Sequence, residues 1–155
     1  MPVERLKQFL EENEIGFVTI PHSQAFTAQE IAAAAHIPGK EVAKTVIVKL
    51  DGQLAMAVLP APDHLSINRL KQATGAHDVE LASEDEFAEV FPNCEVGAMP
   101  PFGNLWGLTV FVDDRLREDE QIVFNAGSHT ELVQLPYSDY ERLVQPVVAR
   151  LSTRN

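Results

Sequence analysis

Apolar residues return at helical intervals at the start of the chain. Val3, Leu6, Phe9 and Leu10 lie among polar neighbours, which predicts an amphipathic helix over residues 3–13. Asn13 and Gly16 end it, and the short β-rich run GFVTIPH follows. Thr27 and Glu30 have capping-box spacing ahead of IAAAAHI, and Pro38-Gly39 closes this second helix. The period then changes to two in VAKTVIVKL and QLAMAVLP, which flank Asp51-Gly52 and predict a hairpin with a type I′ turn. Alternation along the first run places Lys44 with Val46, Val48 and Leu50. Ala43, Thr45, Ile47 and Lys49 take the other face.

Ser66 stands as an N-cap, with Leu65 and Leu70 spaced as a hydrophobic staple and Gly75 as the stop. Ser83 and Glu86 form a second capping box, for a helix stopped by Pro92. The stretch VGAMPPFG (96–103) has two glycines bracketing adjacent prolines, a combination that holds a backbone in one unusual path. Strands are predicted near 105–113, 121–126 and 131–135. Ser138 and Glu141 make a third capping box, opening a C-terminal helix that Pro146 kinks or interrupts. Helices and strands alternate irregularly, with at least one hairpin and no βαβ repeat. The pattern predicts an α+β fold, a single domain over 1–155 on a mixed, largely antiparallel sheet.

Composition adds bounds. A chain of 155 residues with 45% apolar and 23% charged side chains suits one globular domain. No apolar run approaches the roughly 20 residues of a membrane span, and charges interrupt the N-terminus where a signal peptide would need its core. The chain reads as cytoplasmic, without a membrane partner. Net charge is −11, and it is uneven: residues 1–75 hold 8 acidic and 7 basic side chains, residues 76–155 hold 15 and 5. Such a chain should bind duplex DNA poorly, because affinity there comes from neutralising phosphates. A local contact with an RNA end stays open if the lysines of the first half converge.

Few residues offer chemistry. Cys94 is the only cysteine, so it forms no internal disulfide, and Glu95 beside it disfavours a thiolate. The five histidines show no HxH, HExxH or Cys/His spacing, so no metal is expected. His36 reads as structural; His129, after NAGS, is either a turn residue or a site residue. There is no GxSxG elbow, P-loop or GxGxxG. Lys44, on the more apolar strand face, either snorkels outward or is a fixed cation for a phosphate or carboxylate.

Three stretches, AKTVIV, VGAMPPFG and FNAGSH, occur in an order and at separations that resemble the YbaK / prolyl-tRNA synthetase-associated domain family of freestanding aminoacyl-tRNA deacylases. The resemblance runs from about IPHSQAFTAQEIA to the last strand. It implies helices around a strongly curved mixed sheet, and as substrate the 3′ end of a tRNA carrying a wrong, small amino acid. It implies Lys44 and Gly97 as catalytic residues, with the Gly-x-x-x-Pro loop running from Gly97 to Pro101. Ala98, Met99, Pro100 and Pro101 of that loop, with His22, Thr45, Gly127, Ser128 and His129, would contact the substrate. The implied partners are tRNA and an aminoacyl-tRNA synthetase, and no cofactor is needed. An aminoacyl ester is already activated, so positioning can carry the reaction, with N–H groups near Gly97 and Ala98 facing the developing oxyanion. The alternative is a non-catalytic binding module for a nucleotide, an aminoacyl ligand or a tRNA 3′ end.

Overall fold

The computed structural model describes residues 2–21, 41–90, 99–127 and 131–153. Helix α1 (Pro2–Glu12) precedes β1 (Val18–Pro21), and β2 (Ala43–Leu50) turns into β3 (Gln53–Pro60). Then come β4 (His64–Leu65), α2 (Ile67–Thr74), β5 (Val79–Leu81) and the short α3 (Glu84–Ala88). The last part holds β6 (Val110–Asp113), β7 (Gln121–Asn125), β8 (Glu131–Pro136), α4 (Tyr137–Val144), β9 (Val147–Ala149) and β10 (Ser152–Thr153). The helix expected after Thr27 and the stop at Pro92 lie outside the described residues.

The hairpin forms as its turn chemistry requires: Asp51 and Gly52 both have positive φ, 49° and 86°. It founds a five-stranded sheet in the order β5-β2-β3-β6-β9. β2 pairs antiparallel with β3 and β5, whereas β3–β6 and β6–β9 are parallel. A second sheet, β1-β8-β7, is wholly antiparallel, and β10 pairs with β4. One parallel bridge, Val42 to Val123, joins β2 to the second sheet. The result is the mixed, largely antiparallel α+β arrangement that the pattern predicted.

Alternation along β2 is also as read. Ala43 and Ile47 enter the largest core cluster, with Met56, Met99, Phe102, Phe124 and Tyr140. Val48, flanked by Val46 and Leu50, packs on the opposite face against Leu70 of α2, Phe111 and Leu151. Ser66 caps α2 by accepting from Arg69 N, and Gly75 ends it in the left-handed conformation. The Ser83–Glu86 box is reciprocal: Ser83 N donates to Glu86 (2.9 Å) and Glu86 N to Ser83 Oγ (3.3 Å).

Two expectations are corrected. The strand expected from 105 begins at Val110, because residues 103–106 form a 3₁₀ turn that Gly107 closes at φ 74°. The third capping box does not form: α4 opens at Tyr137 after Pro136, with no side-chain cap. Glu141 instead meets the Tyr137 hydroxyl and Arg117. Pro146 interrupts the helix as expected, with Gln145 ending α4 immediately before it, and a further strand, β9, follows. Short strands β5, β9 and β10 escape periodicity because two or three residues cannot display a period.

Candidate functional site

Lys44 sits where β2 leaves one sheet for the other. Two residues earlier, Val42 packs with Ala61, Val123 and Leu132; two and four residues later, Val46 and Val48 belong to the cluster under α2. The lysine therefore stands in the gap between two apolar clusters, half-buried. No hydrogen bond or ion pair to its ammonium occurs among the described residues. Burial pushes its pKa below the ordinary lysine value, and the nearby Asp63 carboxylate partly offsets that. Lys49 provides the contrast. It pairs with Glu86 at 2.7 Å and Glu80 at 3.5 Å, which raises its pKa and holds Glu86 down to about 2.

Asp63 reaches the junction from the turn after β3, where Ala61 N donates to Val42 O at 2.8 Å. Only 1% exposed, it receives Arg115 Nη1 on both oxygens (2.6 and 2.5 Å) and Ser152 Oγ at 3.3 Å. The single Ser152 hydroxyl proton is shared, with its shorter contact to Asp113 at 2.7 Å, and that carboxylate also accepts the N–H groups of Arg115, Leu151 and Ser152. Burial alone would raise the Asp113 pKa; these four donors together hold it below the usual value. The network ties the C-terminal strand to the turn beside Lys44. Both carboxylates are occupied, and among the described residues no three His, Cys, Asp or Glu side chains converge as metal ligands.

On the other side of Lys44 lies the end of β7. Asn125 pairs with Leu132 across β7–β8, on the strand face that carries Val123. Its Oδ1 is buried without a hydrogen-bond partner among the described residues. Beyond it the chain passes through Ala126 to Gly127, buried at φ 103°, a conformation that favours glycine.

The sequence-derived residues divide accordingly. Lys44 and Gly127 belong to this junction. Thr45 points to the opposite face of β2, the side of Ala43 and Ile47. Met99, with Phe102, packs on that opposite side, and Pro100 and Pro101 are buried too. Tyr140 Oη, fully buried, donates to Pro101 O at 2.7 Å, so that carbonyl is already engaged. Gly97, Ala98, His22, Ser128 and His129 lie outside the described residues, as does Cys94. Asp63, Arg115, Asn125 and Tyr140 are not among the residues that the sequence singles out: Asn125 falls in the predicted strand 121–126, on a face shared with Val123 and Gln121, where a polar residue gives no distinct signal.

A family model described as the aminoacyl-tRNA editing domain matches residues 22–143. The chain is 28% identical over 148 residues to the multifunctional Ser/Thr-tRNA deacylase ProXp-y of Escherichia coli K12, covering 92% of this chain and 88% of that protein. It also matches the proline–tRNA ligase of Bacillus mycoides, 28% identical over 66% of this chain but only 18% of the ligase. Among solved structures, the hypothetical protein APE2540 superposes with a TM-score of 0.86 at 23% identity, covering 96% of this chain and 99% of that one. A candidate trans-editing enzyme for prolyl-tRNA synthetase gives 0.84 at 19% identity, over 98% and 97% of the two chains. These two likenesses establish a shared fold. The matched segment spans β2, the proline loop and most of α4, and on that extent the chain belongs to the aminoacyl-tRNA editing domain family.

Proposed function

We propose that this chain, acting as one domain over residues 1–155, hydrolyses the ester of tRNA mischarged with a small amino acid, with Lys44 as the substrate-holding cation. It is a trans-acting aminoacyl-tRNA deacylase, a hydrolase of carboxylic ester bonds. The observation that carries the reading of Lys44 is its state: a half-buried ammonium without an ion pair among the described residues. A cation so placed binds a phosphate or ester oxygen without first breaking a salt bridge. Asp63, held by Arg115, supplies the negative field that favours its protonated form.

In this reaction water adds to the ester carbonyl, and the free amino acid and the tRNA hydroxyl leave. In the proposed step the backbone N–H groups of Gly97 and Ala98 stabilise the developing oxyanion; Pro101, at the end of the same Gly-x-x-x-Pro stretch, accepts from Tyr140. Serine and threonine are the first amino acids to test, since the E. coli relative is named for them. The decisive experiment is a deacylation screen over mischarged tRNAs, with and without EDTA. Turnover of a small-amino-acid tRNA, unchanged by EDTA, is the expected result. Binding without turnover across the panel would replace the enzyme with a binding module, and loss with EDTA restored by zinc would overturn the metal-free mechanism.

A further inference from the structure

Asn125 is the polar group of the Lys44 face that the mechanism above leaves unused. Val42 and Val123 are bridged in parallel, and Lys44 and Asn125 each stand two residues further on, on the same side. The cross-strand partner of Asn125, Leu132, belongs to the apolar cluster of Val42, Ala61 and Val123. The side chain thus follows Val123 on the face of β7 that carries Gln121 at its other end. Its Oδ1 is buried and unpaired among the described residues. Elsewhere at the junction, Asp63, Asp113 and Ser152 are all hydrogen-bonded. An unpaired buried acceptor is uncommon in native folds and calls for an explanation. The parallel register puts it on the same side of the junction as Lys44, whose ammonium has no ion pair among the described residues.

We infer that Asn125 is a substrate-binding residue whose side-chain oxygen accepts a hydrogen bond from a donor flanking the scissile ester of the aminoacyl-tRNA. This rests on the deacylase reading. Two donors flank that ester, the α-ammonium of the amino acid and the vicinal ribose hydroxyl, and an amide oxygen serves either. Lys44 takes the oxygen-rich side of the same group.

The test uses tRNA analogues whose ester is replaced by an amide, so that they bind without turnover. One is complete, one is N-acetylated to remove the ammonium, and one lacks the vicinal hydroxyl. Asn125→Ala weakens the complete analogue about tenfold. On one trimmed analogue the variant and the wild type bind alike, which names the donor. Asn125→Asp keeps an acceptor and retains binding of the complete analogue, and it carries the comparison if the alanine variant melts early. Wild-type affinity of Asn125→Ala for the complete analogue, or an equal loss on all three, overturns the inference. Wild-type deacylation of mischarged tRNA beside either result shows that the inference alone has failed. A wild-type protein that neither binds the complete analogue nor deacylates any tRNA overturns the deacylase reading, and this inference with it.

Discussion

Lys44 and Lys49, five positions apart on β2, differ in one bit of information: odd or even position along the strand. That bit sends Lys49 to Glu86 and Glu80 and leaves Lys44 without an ion pair among the described residues. Lys44→Ala should therefore lower kcat/KM about a hundredfold, or about 3 kcal/mol of transition-state stabilisation, with Lys49→Ala near wild type. Melting curves must show both variants folded; equal losses would mean diffuse attraction instead of a placed charge. The depressed pKa of Lys44 adds a pH signature. The protonated form is needed, so activity falls as pH rises through a value below that of an ordinary lysine. Asp63 raises that value, so Asp63→Asn moves the falling limb to lower pH, measured after subtracting spontaneous ester hydrolysis. An unmoved limb would remove Asp63 from the account. Lys44 was legible from the sequence because strand alternation is a local rule. Its freedom from ion pairs was not, since that depends on which carboxylates the fold delivers to each face.

At the scale of elements, the loop before β6 is where local reading and tertiary fact diverge most. Two prolines and two glycines announced a rigid path, and residues 99–103 are indeed buried. Their placement depends on a residue 39 positions further along the chain: Tyr140 on α4 donates to Pro101 O and packs edge-on to Phe102, with ring centroids 5.3 Å apart. No periodicity in residues 96–103 names that partner. Tyr140→Phe keeps the ring and removes only the hydroxyl, leaving the Pro101 carbonyl without its donor. The cost should be about 1–3 kcal/mol of stability. Rate per folded molecule should fall as well if the proposed role of the Gly-x-x-x-Pro stretch holds, because Pro101 at its end loses its donor. Calorimetry beside a single-turnover assay checks this; a stability loss with the folded-molecule rate intact would make the bond purely structural. The hairpin and the caps at Ser66 and Ser83–Glu86, by contrast, were legible, because they act within four residues of themselves; Ser138–Glu141 has the same spacing, but the helix opens earlier, at Tyr137, and no cap forms.

For the molecule as a whole, net charge of −11 sets the terms on which a polyanion can approach. Half of the described Lys and Arg side chains are in ion pairs: Lys7 with Glu131, Lys49 with Glu86, Arg115 with Asp63, Arg117 with Glu141 and Arg142 with Asp139. Arg5 is turned onto Leu105 O and the Trp106 ring. Lys44, Arg69, Lys71 and Arg150 form no ion pair among the described residues. Arg69 and Lys71 lie on α2, within a run from His64 to His77 that contains no acidic residue. α2 covers the same sheet face that carries Lys44, since its Leu70 packs on Val48. Arg150 adjoins it, because Ser66 N at the start of α2 donates to Leu151 O. The sequence disclosed the unequal halves but not this convergence, which the β10–β4 pairing and α2 packing create. A tRNA should thus meet a small cationic face on an acidic body. Its affinity should fall with salt at a slope of roughly −2 to −3 in log K against log salt, as for about three phosphate contacts. Arg69→Gln and Lys71→Gln should each flatten that slope by about 1, whereas Lys7→Gln should leave it unchanged. Titrations of a non-hydrolysable aminoacyl-tRNA at several salt concentrations provide the measurement. A slope near zero would mean that recognition stays at the aminoacyl end and never reaches the phosphates beyond it.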